Sequence, residues 1–277
     1  MNLQNKNAVI YGAGGSLGGA VAKAMAREGA KMFLTGRHPD SVQKTADEII
    51  ASGGSAEVDT VDALNEDAIK RHLDKVVKKA GRIDISYNAI GIPVKQNIPL
   101  VDLSVDDYVN PITMTMQTQF LTATAAGRVM IKQRSGVILT LTATPGGIGY
   151  PYTGGFAPAC TALENLTKSL ASELGVYGIR VVNIRSGGSP DSRIFKEAIE
   201  SHPVEMQKAL RGMKADTMLK ALPLMNDIAN TAVFLSSDLA GKITGVTIDL
   251  TAGTTAALNY RVSVSSSEPE NLPGYKP

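Results

Sequence analysis

The sequence has one cysteine, Cys160, and three histidines, His38, His72 and His202, in 277 residues. A single thiol excludes an intramolecular disulfide framework. Histidines this far apart, with no HExxH or CxxC spacing, exclude the usual zinc patterns, so no metal site is expected. Neither sign of charge is in excess: 28 Lys and Arg stand against 26 Asp and Glu, which gives no polycation for nucleic acid and none for an anionic lipid surface. No apolar run approaches the ~18 residues of a membrane span. The first strand is expected from about residue 6, leaving no room for a signal peptide. The expectation is a soluble, cytoplasmic protein of a reducing compartment that acts on a small molecule. At 43% hydrophobic composition, a chain of this length buries one large α/β core.

What the sequence does have is glycine, arranged near the N-terminus in a way that organises the rest. The apolar run Ala8, Val9, Ile10 leads into Tyr11 to Gly18. There Gly12, Gly14 and Gly18 let the backbone leave a strand, double back without Cβ clashes and open a helix. In that helix Leu17, Val21 and Met25 fall at i, i+4 and i+8, so one face packs on a sheet while the free N–H groups of the first turn meet an anion. A strand, glycine turn and helix in this order read as the start of a dinucleotide site. A second strand, Lys31 to Thr35, ends at Gly36, Arg37 and His38, with Arg37 19 residues after Gly18. An acidic residue near this distance takes a ribose 2′-hydroxyl, whereas an arginine accommodates a 2′-phosphate; NADP(H) is the expected cofactor.

Strands and helices then alternate: helix 40–52, strand Ala56 to Val61 ending at Asp62, helix 66–80, and strand Ile83 to Tyr87 running into Asn88 to Gly91. This is the order of an α/β Rossmann-type doubly wound parallel sheet of about seven strands with helices on both faces. From Ala8 to Gly253 the chain resembles the short-chain dehydrogenases/reductases. Tyr11 to Gly18 stands for their TGxxxGxG turn, with Ser16 at the middle glycine, and Asp62 stands at the adenine contact. Asn88 to Gly91 stands for NNAG, Gly178 to Val181 resembles GIRV, and Ile243 to Gly245 resembles the ITG before the last strand. The resemblance implies one domain over 1–253, a lid over about 189–222 and a tail over 254–277. It also implies a nucleotide held by Gly12, Gly14, Ser16, Leu17, Gly18, Arg37, Asp62, Asn88, Gly91 and Gly187, and a homodimer or homotetramer built through helices near 115–134 and 157–175.

The resemblance breaks at the chemistry. The family's serine, tyrosine and lysine fall on Ala143, Phe156 and Cys160 without a gap, and its upstream asparagine falls on Thr115. A phenyl ring transfers no proton, an alanine donates no hydrogen bond and a thiol carries no ammonium field. General acid catalysis is worth about 10²- to 10⁴-fold and an oxyanion donor about 10²- to 10³-fold, so ordinary carbonyl reduction at these positions is crippled. Tyr150, Tyr152, Thr142 and Thr144 lie close enough in sequence to serve in place of the missing groups, with loop packing as their plainer role. Cys160 has no histidine or lysine nearby in sequence to make it a thiolate and reads as structural. Arg185, before Ser186 and Gly187, suits an acidic group, a cofactor phosphate or a plain surface position. Met206, Met213 and Met218 give the lid an adaptable apolar character.

Three functions remain open from these residues. One is an NADP(H)-dependent oxidoreductase passing hydride to a small carbonyl or an activated C=C bond with a non-standard proton donor. The others are a non-redox enzyme that retains the cofactor, and a cofactor-binding partner or sensor protein.

Overall fold

The computed structural model describes residues 1–256. Seven strands form one sheet: β1 Asn7–Tyr11, β2 Lys31–Gly36, β3 Ser55–Thr60, β4 Ile85–Asn88, β5 Gly136–Ala143, β6 Ile179–Ser186 and β7 Thr247–Leu250. They lie in the order β3-β2-β1-β4-β5-β6-β7, and every pairing is parallel. Between them run the helices α1 Ser16–Arg27, α2 Pro39–Ala51, α3 Glu66–Ala80, α4 Val105–Gln133, α5 Phe156–Leu174, α6 Arg193–Ser201, α7 Pro203–Ala215 and α8 Met225–Ser236. Parallel neighbours demand crossovers, and right-handed crossovers put α1, α2 and α8 on one face and α3, α4 and α5 on the other, because the order reverses at β1.

Alternation along each strand divides the core. Ala8 and Ile10 of β1 pack with Val21 and Met25 of α1 and Ile228 and Ala232 of α8, while Val9 and Tyr11 face Leu73 of α3, Ala126 of α4 and Leu170 of α5. All five β1 residues are buried, as a central strand covered on both faces requires. The expected elements are present, with bounds shifted by a residue or two. The main difference is α4, which starts at Val105, with Ser104 as its N-cap, rather than near 115. Gly81 ends α3 in the left-handed conformation, with φ of 80°.

The segment expected as a lid, about 189–222, holds two helices, α6 and α7, neither of which contributes a buried residue. The first residues of the expected tail are folded back: Thr254 is buried and donates to the Thr251 carbonyl at 2.8 Å. The rest of that tail, 257–277, lies outside the described residues.

Candidate active site

A cleft opens beyond the C-terminal ends of β1 and β4, where the strand order changes direction. In an open parallel sheet this crevice is where ligands enter. Gly12, at φ of 75°, turns the chain out of β1. Gly18 lies so close that a Cβ there would stand 2.3 Å from the Gly12 carbonyl oxygen, and a Cβ on Gly14 would stand 2.2 Å from Ser41 Oγ. Gly15 is the N-cap of α1, which has neither a side-chain cap nor an acidic residue in its first turn. Its leading N–H groups are therefore left as donors for an anion. The cradle fits the diphosphate of a dinucleotide.

Arg37, Asp62 and Gly91 line the same cleft, together with Gly12 and Gly14. Arg37 is exposed at the end of β2, and no carboxylate takes its guanidinium among the described residues. The other residues expected to hold the nucleotide, Ser16, Leu17, Gly18, Asn88 and Gly187, are not among those lining the cleft. Ser16 Oγ accepts a hydrogen bond from the backbone N–H of Arg193 at 3.0 Å, and Leu17 packs on the core beneath α1. Buried Asn88 donates to the Thr118 carbonyl at 3.2 Å and to Thr122 Oγ1 at 3.0 Å, and its Oδ1 accepts from Ile90 N. It thereby ties β4 to α4 and holds the turn of residues 88–91. Gly187 N donates to the Leu250 carbonyl at 3.1 Å. Arg193 also lines the cleft. It reaches there from the start of α6, 177 residues along the chain from Ser16, a proximity with no signal in the sequence.

Ala143, Phe156 and Cys160 do not line this cleft. Beside Cys160 the chain has built an ionic network joining α5, β6 and the end of β7. Glu164 stands one helical turn beyond Cys160 on α5. Arg185 Nε donates to Glu164 Oε1 at 2.9 Å, its Nη2 donates to Oε2, and its Nη1 reaches Asp249 Oδ2 at 3.1 Å. Thr142 Oγ1 donates to Glu164 Oε1 at 2.9 Å and accepts from Asn183 Nδ2 at 2.7 Å, while Asn183 Oδ1 accepts from Thr140. The loop after β5 closes over these groups. A Cβ on Gly146 would lie 2.5 Å from Glu164 Oε1 and 3.0 Å from Cys160 Cβ, and one on Gly147 would lie 2.6 Å from Arg185 Nη1. Arg185 is thus neither a surface residue nor free for a ligand: its acidic partners belong to its own chain.

Electrostatics follow this geometry. The Glu164 hydrogen bond raises the Arg185 guanidinium above its usual range. Burial pushes the Asp249 carboxyl up, but hydrogen bonds from Thr251, Thr255 and Arg185 outweigh it and hold the group below the usual carboxylate range. Burial pushes the Cys160 thiol up to about 11, which keeps it protonated and unreactive near neutral pH.

The hydroxyls considered as substitutes are placed as follows. Thr142 is buried inside the network. Tyr150 is half-buried, and burial together with the Asp216 charge raises its hydroxyl pKa. Tyr152 is exposed, with φ of 60°, and its carbonyl accepts from Asn97 N at 2.8 Å. Neither tyrosine lines the cleft, and at the asparagine position its neighbours Met114 and Thr118, not Thr115, do. Among the described residues no group of His, Cys, Asp and Glu is placed to hold a metal, and no helix is long and apolar enough to cross a membrane.

Comparison with known proteins agrees with this architecture. A family model described as enoyl-(acyl carrier protein) reductase matches residues 12–255. A 3-oxoacyl-[acyl-carrier-protein] reductase from Staphylococcus epidermidis is 30% identical over 255 residues, covering 90% of this chain and 98% of the relative. An uncharacterized oxidoreductase from Thermotoga maritima is 30% identical over 256 residues, covering 92% and 100%. Among solved structures, a gluconate 5-dehydrogenase from Burkholderia cenocepacia, in complex with NADP and tartrate, superposes with a TM-score of 0.83 at 21% identity, covering 93% of this chain and 98% of that one. Sheet order, glycine turn and family match together show that the chain belongs to the short-chain dehydrogenase/reductase family of oxidoreductases.

Proposed function

We propose that this chain binds NADP(H) in the cleft and passes hydride to the electron-poor carbon of an activated C=C bond in a small substrate. Arg37 carries the cofactor half of the reading. An exposed guanidinium without a carboxylate partner, at the end of β2 beside the glycine turn, suits a ribose 2′-phosphate and leaves a ribose diol without an acidic acceptor. The nicotinamide cofactor supplies the hydride when bound. The glycine turn and first turn of α1 take its diphosphate, Asp62 stands at the adenine end, and Asn88 fixes the wall between β4 and α4.

The choice of acceptor rests on the residues that are missing. Carbonyl reduction gains from a proton donor and an oxyanion donor at the reacting oxygen, and Ala143 and Phe156 provide neither. Addition of hydride to an alkene conjugated to a carbonyl spreads the developing charge over the oxygen and the α-carbon of an enolate, so it leans less on a donor at one oxygen, and water protonates the enolate at carbon. Ile92, Pro93 and Met114 give the cleft an apolar wall suited to such a substrate. The description of the matching family model, an enoyl reductase, supports the same choice. The reading extends to a cytoplasmic homodimer or homotetramer, supported by Val105, Val109 and Phe120 exposed along α4.

The test is a calorimetric titration with NADPH and NADH on the native chain and on Arg37→Ala, followed by NADPH consumption with matched enones and ketones. NADPH is expected to bind more tightly, with the advantage lost in the variant, and enones to be consumed faster. Binding of neither nucleotide refutes the cofactor assignment; faster turnover of ketones refutes the acceptor.

A further inference from the structure

We infer that Arg193 is a second phosphate-binding residue of the cleft, delivered by the lid and serving the diphosphate while Arg37 serves the 2′-phosphate. The inference rests on the NADP(H) reading above.

Three observations place Arg193. It opens α6, and its backbone N–H is fixed on Ser16 Oγ at 3.0 Å, at the first residue of α1. That bond sets its Cα beside the glycine turn, whereas Arg37 stands at the end of β2. Its guanidinium is held only loosely. Nε lies 3.6 Å from Glu197 on the same helix face, and both side chains are about two-thirds exposed, at 67% and 65%. An exposed i,i+4 pair of this kind is weak and gives way to a diphosphate. The lid itself is anchored at this point: Asp191, two residues earlier, accepts from Met225 N at the start of α8. Arg193 is therefore presented from a fixed point, although the helices behind it bury nothing.

Charge supports the division of labour. Two arginines, Arg37 and Arg193, line the cleft against one carboxylate, Asp62, and α1 adds the partial positive charge of its N-terminus without an acidic residue to cancel it. NADP(H) brings two anionic groups, a diphosphate and a 2′-phosphate. The guanidinium beside the glycine turn falls to the first, and the one beyond β2 falls to the second.

The experiment is a binding titration of NADPH, NADH and ADP on the native chain, Arg193→Ala, Arg193→Lys and Arg37→Ala. A charge-assisted contact to a phosphate predicts that Arg193→Ala weakens NADPH and NADH by the same factor, about 10- to 100-fold. The ratio of the two should stay unchanged. ADP, which has the diphosphate and no 2′-phosphate, should lose the same factor, and Arg193→Lys should recover part of it. Arg37→Ala should instead change the ratio and leave ADP alone. Because the Arg193 side chain is largely exposed, its variants should melt with the native chain, which separates lost binding from lost folding. Unchanged nucleotide affinity in Arg193→Ala, or a loss confined to NADPH, overturns the assignment while the cofactor reading stands. Absence of nucleotide binding by the native chain overturns both.

Discussion

Replacing Glu164 with alanine tests whether the network between α5, β6 and β7 is structural. The substitution removes the acceptor of two Arg185 hydrogen bonds and the acceptor of the Thr142 hydroxyl. The two charged side chains are only 10% and 15% exposed, so little water is at hand to replace the lost carboxylate. Breaking a buried pair by removing one partner costs about 3–5 kcal/mol. Arg185 keeps Asp249, 3.1 Å away and about one-third exposed, so the expected cost is reduced to ~2–4 kcal/mol. For a domain of this size each kcal/mol lowers the melting temperature by about 2–4 °C, giving a drop of ~5–15 °C. Thermal and urea unfolding, followed by circular dichroism, measure it. The double variant Glu164→Leu with Arg185→Met should recover most of the loss, since well-packed apolar replacements of buried pairs are often neutral. Asp249 remains hydrogen-bonded to Thr251 and tolerates losing the arginine. A Glu164→Ala chain that melts with the native chain, or a double variant no more stable than the single one, refutes the reasoning.

Two further predictions come from buried titratable groups. Burial lowers the pKa of His72 despite its hydrogen bond to Asp59 at 3.0 Å, and its Nε2 has no partner. The unfolded chain therefore binds the proton more readily: stability is complete above the ordinary histidine pKa of about 6.5 and declines as pH falls through and below it. His72→Leu should flatten that decline in urea midpoints taken between neutral and mildly acidic pH; an unchanged slope counts against it. Cys160, buried with its thiol pKa at about 11, should resist iodoacetamide in the native chain near neutral pH and react freely in denaturant. Rapid native labelling would show that the loop over it opens readily.

The fold was legible because glycine punctuates apolar runs of the right length: Gly29, Gly53 and Gly81 each follow a helix, and Ala8 to Tyr11 is apolar throughout, as a strand covered on both faces must be. That the glycine turn, Arg37 and Asp62 share one cleft was legible because they close successive strands, within one or two βα units of one another. What could not be read was contact made across the chain. The spacing of Cys160 and Glu164 puts both on one face of α5, but nothing local reveals that Arg185, 21 residues on, and Asp249, 64 beyond that, close on the carboxylate. Arg193 was hidden for the same reason, since its partner Ser16 lies 177 residues away along the chain.

The glycines pressed onto that network carry an implication for engineering. Gly146 stands over Cys160 and Glu164, and Gly147 over Arg185, each too close for a Cβ of its own. A side chain larger than glycine at 146 meets Glu164, and one at 147 meets Arg185, so the loop 144–149 and the ion-paired network beneath it must change together. A library over that loop has to keep glycine at both positions or vary Glu164 and Arg185 with them.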